Sequence, residues 1–91
     1  MIKKIKCYLC GQTSMAESTD HSNRWFVECH TCGWYEMSNA VINKTLQSPD
    51  WLYSIKQTMK TKENGYQKGF YSFLITNSQL VSEWNSRAYE I

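Results

Sequence analysis

Ninety-one residues make one small domain, whose core by itself gives thin stability and calls for a staple. Hydrophobic residues at 42% and aromatic residues at 14% exclude intrinsic disorder, and no apolar run approaches the ~20 residues of a membrane span. The formal charge of +2 is too near balance to assign a nucleic-acid or membrane partner on its own.

In chain order, Ile2 to Tyr8 reads as a strand, basic through Lys3, Lys4 and Lys6. Cys7 follows before any apolar run, so no signal peptide is read and a cytoplasmic protein is expected. Residues 12–23 are polar, rich in Ser and Thr, and expected to form a loop. Trp25-Phe26-Val27 is aromatic and β-branched, a strand leading to the next cysteine pair, and Gly33-Trp34-Tyr35-Glu36-Met37 leaves it as a third strand.

After Ser38 the pattern changes. Ala40, Val41, Ile42 and Leu46 suit a short helix. Ser48-Pro49-Asp50 is a helix start: serine caps, proline fills the first position without wasting a donor, and aspartate sits at the positive end of the dipole. Leu52, Ile55 and Met59 follow on one face, with Lys56 and Lys60 on another. Residues 62–69, with two glycines, break the helix, and residues 70–75 read as a strand. Thr76-x-x-Gln79 has the form of a capping box, so a last helix is expected with Leu80, Trp84 and Ala88 on one face.

The four cysteines are spaced Cys7-x2-Cys10-x18-Cys29-x2-Cys32, and a glycine, Gly11 or Gly33, follows each pair. Two intervening residues let both sulfurs of a tight turn converge on one tetrahedral ion. Glycine tolerates the positive φ that aims backbone amides at those sulfurs. In a reducing compartment such pairs are metal ligands more readily than disulfides. One structural zinc ion is therefore expected, with an iron–sulfur cluster as the alternative that colour would reveal. A zinc ion with four thiolates carries two negative charges, which offsets the formal +2.

Four thiolates leave no open position for water, so the zinc is expected to be structural and the protein not an enzyme. His21 and His30 are the only other ligand candidates of nitrogen type. His30 lies within the second turn and is expected to point outward. Glu28, Glu36 and Asp50 could act as acids or bases, but nothing in their spacing singles them out, and no nucleophile elbow or phosphate loop appears. Lys3, Lys4 and Lys6 form one basic cluster, and Lys56, Lys60, Lys62 and Lys68 a second. With Trp25, Trp34 and Tyr35 they are candidate contacts to a partner protein or to nucleic acid. Four Trp, six Tyr and three Phe are also many for so small a core, and a surplus would serve as interface anchors.

Cys7-x-x-Cys10-Gly11, then Phe26-Val27-Glu28-Cys29-x-x-Cys32-Gly33, then Trp84-Asn85-x-Arg87-Ala88 resembles the Lar-type restriction-alleviation family of small phage and prophage zinc-ribbon proteins. Tyr8 stands where that family usually has proline, and residues 40–76 have no counterpart in its compact members. The resemblance implies a protein that binds a host protein and blunts a defence system, restriction in the relatives. The alternative is a zinc ribbon that binds nucleic acid through the lysines. Taken together, the expected fold is α+β. A ribbon of two to three short strands over residues 1–39 would be followed by a helical extension over residues 40–91, with two to three helices and up to one further strand.

Overall fold

The computed structural model describes residues 2–19, 23–65 and 68–86. Six strands and two helices follow one another: β1 (Ile2–Lys6), β2 (Thr13–Thr19), β3 (Arg24–Cys29), β4 (Gly33–Ser38), α1 (Asn39–Gln47), α2 (Pro49–Met59), β5 (Gly69–Thr76) and β6 (Gln79–Ser86). The strands form one sheet in chain order. All neighbours are antiparallel except β4 and β5, which run parallel. That exception follows from the connection, because a crossover through two helices returns the chain to the same end of the sheet.

The helices form where capping chemistry starts them. Ser38 Oγ accepts the Val41 N–H at 3.2 Å to open α1. Ser48 closes α1 through its N–H to Lys44 O at 2.9 Å and opens α2 by accepting the Trp51 N–H at 3.4 Å. One serine thus joins the two helices, with Pro49 next to it where a missing donor costs nothing.

Both helices pack on one face of the sheet. Alternation along the strands puts Ala16, Val27, Tyr35, Met37, Tyr71 and Phe73 on that face, where they meet Val41, Ile42, Ile55 and Met59 from the helices. Tyr35, Met37, Phe73, Val27, Val41 and Ile55 are fully buried. Register ties the layer together: Ala16 pairs with Val27, Val27 with Tyr35, Tyr35 with Tyr71, and Tyr71 with Trp84. The edge strand β1 contributes little to this core, only Ile5 being half-buried. Its three lysines suit an edge that must not pair with other chains.

Two expected features are corrected. Within the segment expected to be a loop, Thr13–Thr19 form β2, which pairs with β1 from Thr13 to Glu17 and with β3 from Met15 to Thr19. Its inward residues, Ser14 and Ala16, are small, so the alternation that marks a strand is faint in the sequence. The described residues of the expected last helix are also not helical. Asn77 and Ser78 both take positive φ, 52° and 64°, and form a two-residue hairpin turn. Beyond it Gln79–Ser86 returns as β6 against β5. Leu80 and Trp84 do share a face, but a spacing of four residues is shared by helix and strand alike. Ala88 lies outside the described residues. The chain is therefore more strand-rich than a ribbon of two or three strands followed by helices.

Candidate metal centre

The two cysteine turns are the β1–β2 and β3–β4 connections. Since β1 and β3 run in the same sense, both turns fall at one end of the sheet. Gly11 and Gly33 adopt φ of 80° and 94°, the left-handed conformation expected after each pair. At the first turn the Cys7 N–H bonds to Gln12 O at 2.7 Å and the Gly11 N–H to Cys7 O at 2.9 Å.

The folding of these turns brings the sulfurs of Cys7, Cys10, Cys29 and Cys32 within 4.8 Å of one another. Cys7 Sγ lies 3.9 Å from Cys32 Sγ, and Cys10 Sγ 3.5 Å from Cys29 Sγ. Four sulfurs at about 2.3 Å from a tetrahedral ion are about 3.8 Å apart. A disulfide needs about 2.05 Å. The set is thus spaced for a shared ion, and these four residues could hold a metal.

The surroundings prepare the sulfurs for charge. The Leu9 N–H points to Cys7 Sγ at 3.4 Å and the Cys32 N–H to Cys29 Sγ at 3.3 Å. Tyr35 is fully buried beside them. Its hydroxyl accepts the Tyr8 N–H at 3.1 Å and lies 3.1 Å from Cys7 Sγ, where it can donate its proton once that sulfur is a thiolate. Burial raises the Cys29 thiol, but the Ser14 hydroxyl, the backbone N–H groups of Cys32 and Thr31 and the Cys10 thiol outweigh it, bringing Cys29 down to about 6. Cys32 is pushed well up, by burial first and then by its bond to Cys10 and the charges of its neighbours. Cys10 also rises, chiefly through burial. Four thiols this close cannot all ionise against one another; a divalent cation lets them.

Sequence reasoning missed the supporting residues. Tyr35 reads as a strand aromatic and a candidate contact to a partner, a role its full burial excludes, and Ser14 sits in a stretch expected to be loop. Asn64 carries no signal at all, yet its Oδ1 accepts the Trp34 N–H at 2.9 Å and occupies the space that a Cβ on Gly33 would need. It fastens the segment after α2 to the second cysteine turn.

His30 is exposed and stands apart from the four sulfurs, and His21 lies outside the described residues. The cysteines divide into a buried pair, Cys7 and Cys29, and a half-exposed pair, Cys10 and Cys32. The half-exposed pair opens onto a groove of about 320 Å³, lined also by Leu9, Thr31, Lys56, Met59 and Lys60. Lys56 and Lys60 thus stand beside the metal centre, one helical turn apart.

The other lysines are dispersed. Lys3 lies over the Trp25 ring at 4.2 Å, Lys62 over Trp84 at 5.0 Å and Lys44 over Trp51 at 5.7 Å. Lys68 pairs with Glu63 at 2.9 Å, an exposed contact that lowers the Glu63 carboxyl. Alternation puts Lys4 and Lys6 on the sheet face away from the helices.

Glu36 is held by Thr19, Ser72 and Arg24, at 2.9, 3.0 and 3.6 Å, while Asp50 is exposed in the first turn of α2. From the Trp-Asn-x-Arg-Ala segment, Trp84 packs edge-on to Tyr71 at 5.0 Å and covers Gly69. Asn85 Nδ2 donates to Ser72 Oγ at 3.0 Å, and Arg87 lies outside the described residues. No helix among the described residues is long and apolar enough to cross a membrane. Comparison with family models, with curated proteins and with solved structures gave no match.

Proposed function

We propose that this chain is a zinc-stapled ribbon, extended by two helices and a further hairpin, whose work is to bind a protein. In line with the Lar-type resemblance, the partner would be a host protein of a defence system, and the zinc a structural ion with no role in chemistry. Zinc is the natural ion for four thiolates gathered within 4.8 Å of one another.

One observation favours a protein partner over nucleic acid. The lysines are dispersed and do not line one track of aromatics: Lys4 and Lys6 share the face away from the helices with Phe26, Trp34 and Phe70, but stand at its edge on β1. Lys56 and Lys60 face the metal centre, whose two net negative charges they offset, and Lys3, Lys44 and Lys62 are laid over Trp rings. The face away from the helices instead interleaves Phe26, Trp34 and Phe70 with glutamates. A strand of nucleic acid needs cations and stacking rings along one track.

The metal is tested by elemental analysis of the purified chain and of Cys29→Ser. The expected results are one zinc per chain, and an unfolded variant, because in so small a domain binding energy is folding energy. A folded Cys29→Ser protein with full zinc content would overturn the assignment. The partner is tested by tagged capture from nuclease-treated bacterial lysate. A stoichiometric protein supports the reading, whereas nucleic acid alone, bound with steep salt dependence, would replace it.

A further inference from the structure

The four sulfurs of the cysteine cluster are not equivalent. Cys29 accepts from the Ser14 hydroxyl and from the N–H groups of Cys32 and Thr31. Cys7 accepts from the Leu9 N–H at 3.4 Å and lies 3.1 Å from the Tyr35 hydroxyl. Cys10 accepts from the Gln12 N–H. Cys32 has no such donor among the described residues; its bonds of this kind are to the sulfurs of Cys7 and Cys10. A donated hydrogen bond stabilises a thiolate and lowers its nucleophilicity, so a sulfur that receives none is the strongest nucleophile of its set.

Access points to the same atom. Cys7 and Cys29 are buried, whereas Cys10 and Cys32 are half-exposed and open onto the groove of about 320 Å³. That volume is at the lower end of the range of ligand pockets. Leu9 and Met59 make part of its wall apolar, and Lys56 and Lys60 bring two ammonium groups to it, one helical turn apart. Four thiolates around a divalent ion leave two net negative charges, and these lysines offset them where a reagent would arrive. Partly exposed surroundings with positive charge are those in which cysteines react.

Resting on the four-cysteine metal site of the reading above, we propose that Cys32 is a modification site, at which a small disulfide carrying carboxylates exchanges with the cluster. The carboxylates lie against Lys56 and Lys60 in this arrangement, and the stem against Leu9 and Met59. The Cys32 thiolate attacks one sulfur of the reagent. A bond forms between those two sulfurs, the reagent's own S–S bond breaks, and its second half leaves as a thiolate with the electron pair; no proton is needed. Cys32 is oxidised and the reagent reduced. Three thiolates then remain for the ion, so the clamp between the β1–β2 and β3–β4 turns becomes sensitive to the thiol–disulfide balance around the protein.

The test takes the full chain, its zinc content measured by elemental analysis, and treats it with limiting oxidised glutathione, which is anionic, or with cystamine, which is cationic. Adducts formed at short times are mapped by mass spectrometry after acid quenching, and released zinc is followed with a chromogenic chelator. The first adduct is expected on Cys32 with both reagents, with zinc release in step. Lys56→Gln with Lys60→Gln is expected to slow oxidised glutathione about tenfold at low salt and not to slow cystamine. A first adduct on Cys10, even labelling of the four cysteines, a glutathione rate indifferent to the lysines, or equal slowing of both reagents would each overturn the proposal. Elemental analysis separates this failure from that of the broader reading. A zinc-loaded chain that is labelled elsewhere refutes Cys32 alone and keeps the metal site. A purified chain that binds no zinc removes the metal site and this modification with it.

Discussion

Replacing Tyr35 by phenylalanine separates the metal centre from the core that surrounds it. The ring is fully buried, and phenylalanine keeps its volume, so packing against Val27, Met37 and Tyr71 is retained. What is lost is one oxygen with two partners, the Tyr8 N–H at 3.1 Å and Cys7 Sγ at 3.1 Å. A bond to a charged sulfur is worth ~1.5–3 kcal/mol, and an orphaned N–H costs ~1–3 kcal/mol when dry. Tyr8 is only half-buried, so water moderates the second figure. The metal-loaded fold should therefore lose about 2–4 kcal/mol. The sulfur bond strengthens when the thiolate forms, so it also appears in metal affinity, as a loss of about 10–100-fold. Chelator competition followed by circular dichroism measures the affinity, and urea unfolding of the loaded protein measures the stability. Affinity within twofold of the parent would show that Tyr35 holds the sheet and not the sulfur.

Three further outcomes follow from the turns and the thiols. Gly11→Ala and Gly33→Ala both force a side chain into positive φ at about 1–2 kcal/mol. Only Gly33→Ala also displaces Asn64 from its bond to the Trp34 N–H, so it should cost about 1 kcal/mol more in urea unfolding, and equal costs would refute the Asn64 contact. Ser78→Gly relieves a φ of 64° in the hairpin turn and should stabilise by up to about 1 kcal/mol; a lower melting temperature would contradict a turn with two left-handed residues. In the metal-loaded protein, where all four sulfurs are thiolates and access rather than protonation separates the two pairs, iodoacetamide should modify Cys10 and Cys32 before the buried Cys7 and Cys29, as mapped by mass spectrometry of partly labelled protein, and even labelling would refute the division of the cluster into two pairs.

The parts that were legible in the sequence are those with strong local chemistry. Two cysteine pairs, each followed by glycine, mark their turns wherever they occur. Ser48-Pro49-Asp50 starts a helix by capping alone, and α2 begins at Pro49. The segments that misled carry weak or degenerate signals. Ser14 and Ala16 face the core but are small and partly polar, so β2 resembles a loop. Leu80 and Trp84 sit four apart, which fits either period, and the capping-box pattern at Thr76 decided it the wrong way. The two intervening residues, Asn77 and Ser78, form a left-handed turn that only Asn announces. Tyr35 and Asn64 owe their roles to contacts 25 or more positions away in the chain, Cys7 to Tyr35 being 28 and Trp34 to Asn64 being 30, and no local pattern encodes those.

The cysteine cluster and the sheet face away from the helices are linked through β1. That strand is five residues long, and of its side chains only that of Ile5 reaches the core, so burial gives it little hold on the sheet. Backbone pairing with β2 alone is marginal for so short a strand. The cysteine turn at its end supplies the rest, because Cys7 and Cys10 share their cluster with Cys29 and Cys32 from the next hairpin. An ion there clamps β1–β2 to β3–β4 at the end where the turns meet. It would thereby fix Ile2 and Glu17 in register with Phe26 and Glu28, the residues that line a small cleft on the face away from the helices. β5 and β6 need no such clamp, since Tyr71 and Phe73 are buried and Trp84 closes over Gly69. An ion held by the four cysteines would therefore also keep β1 and β2 in register with β3.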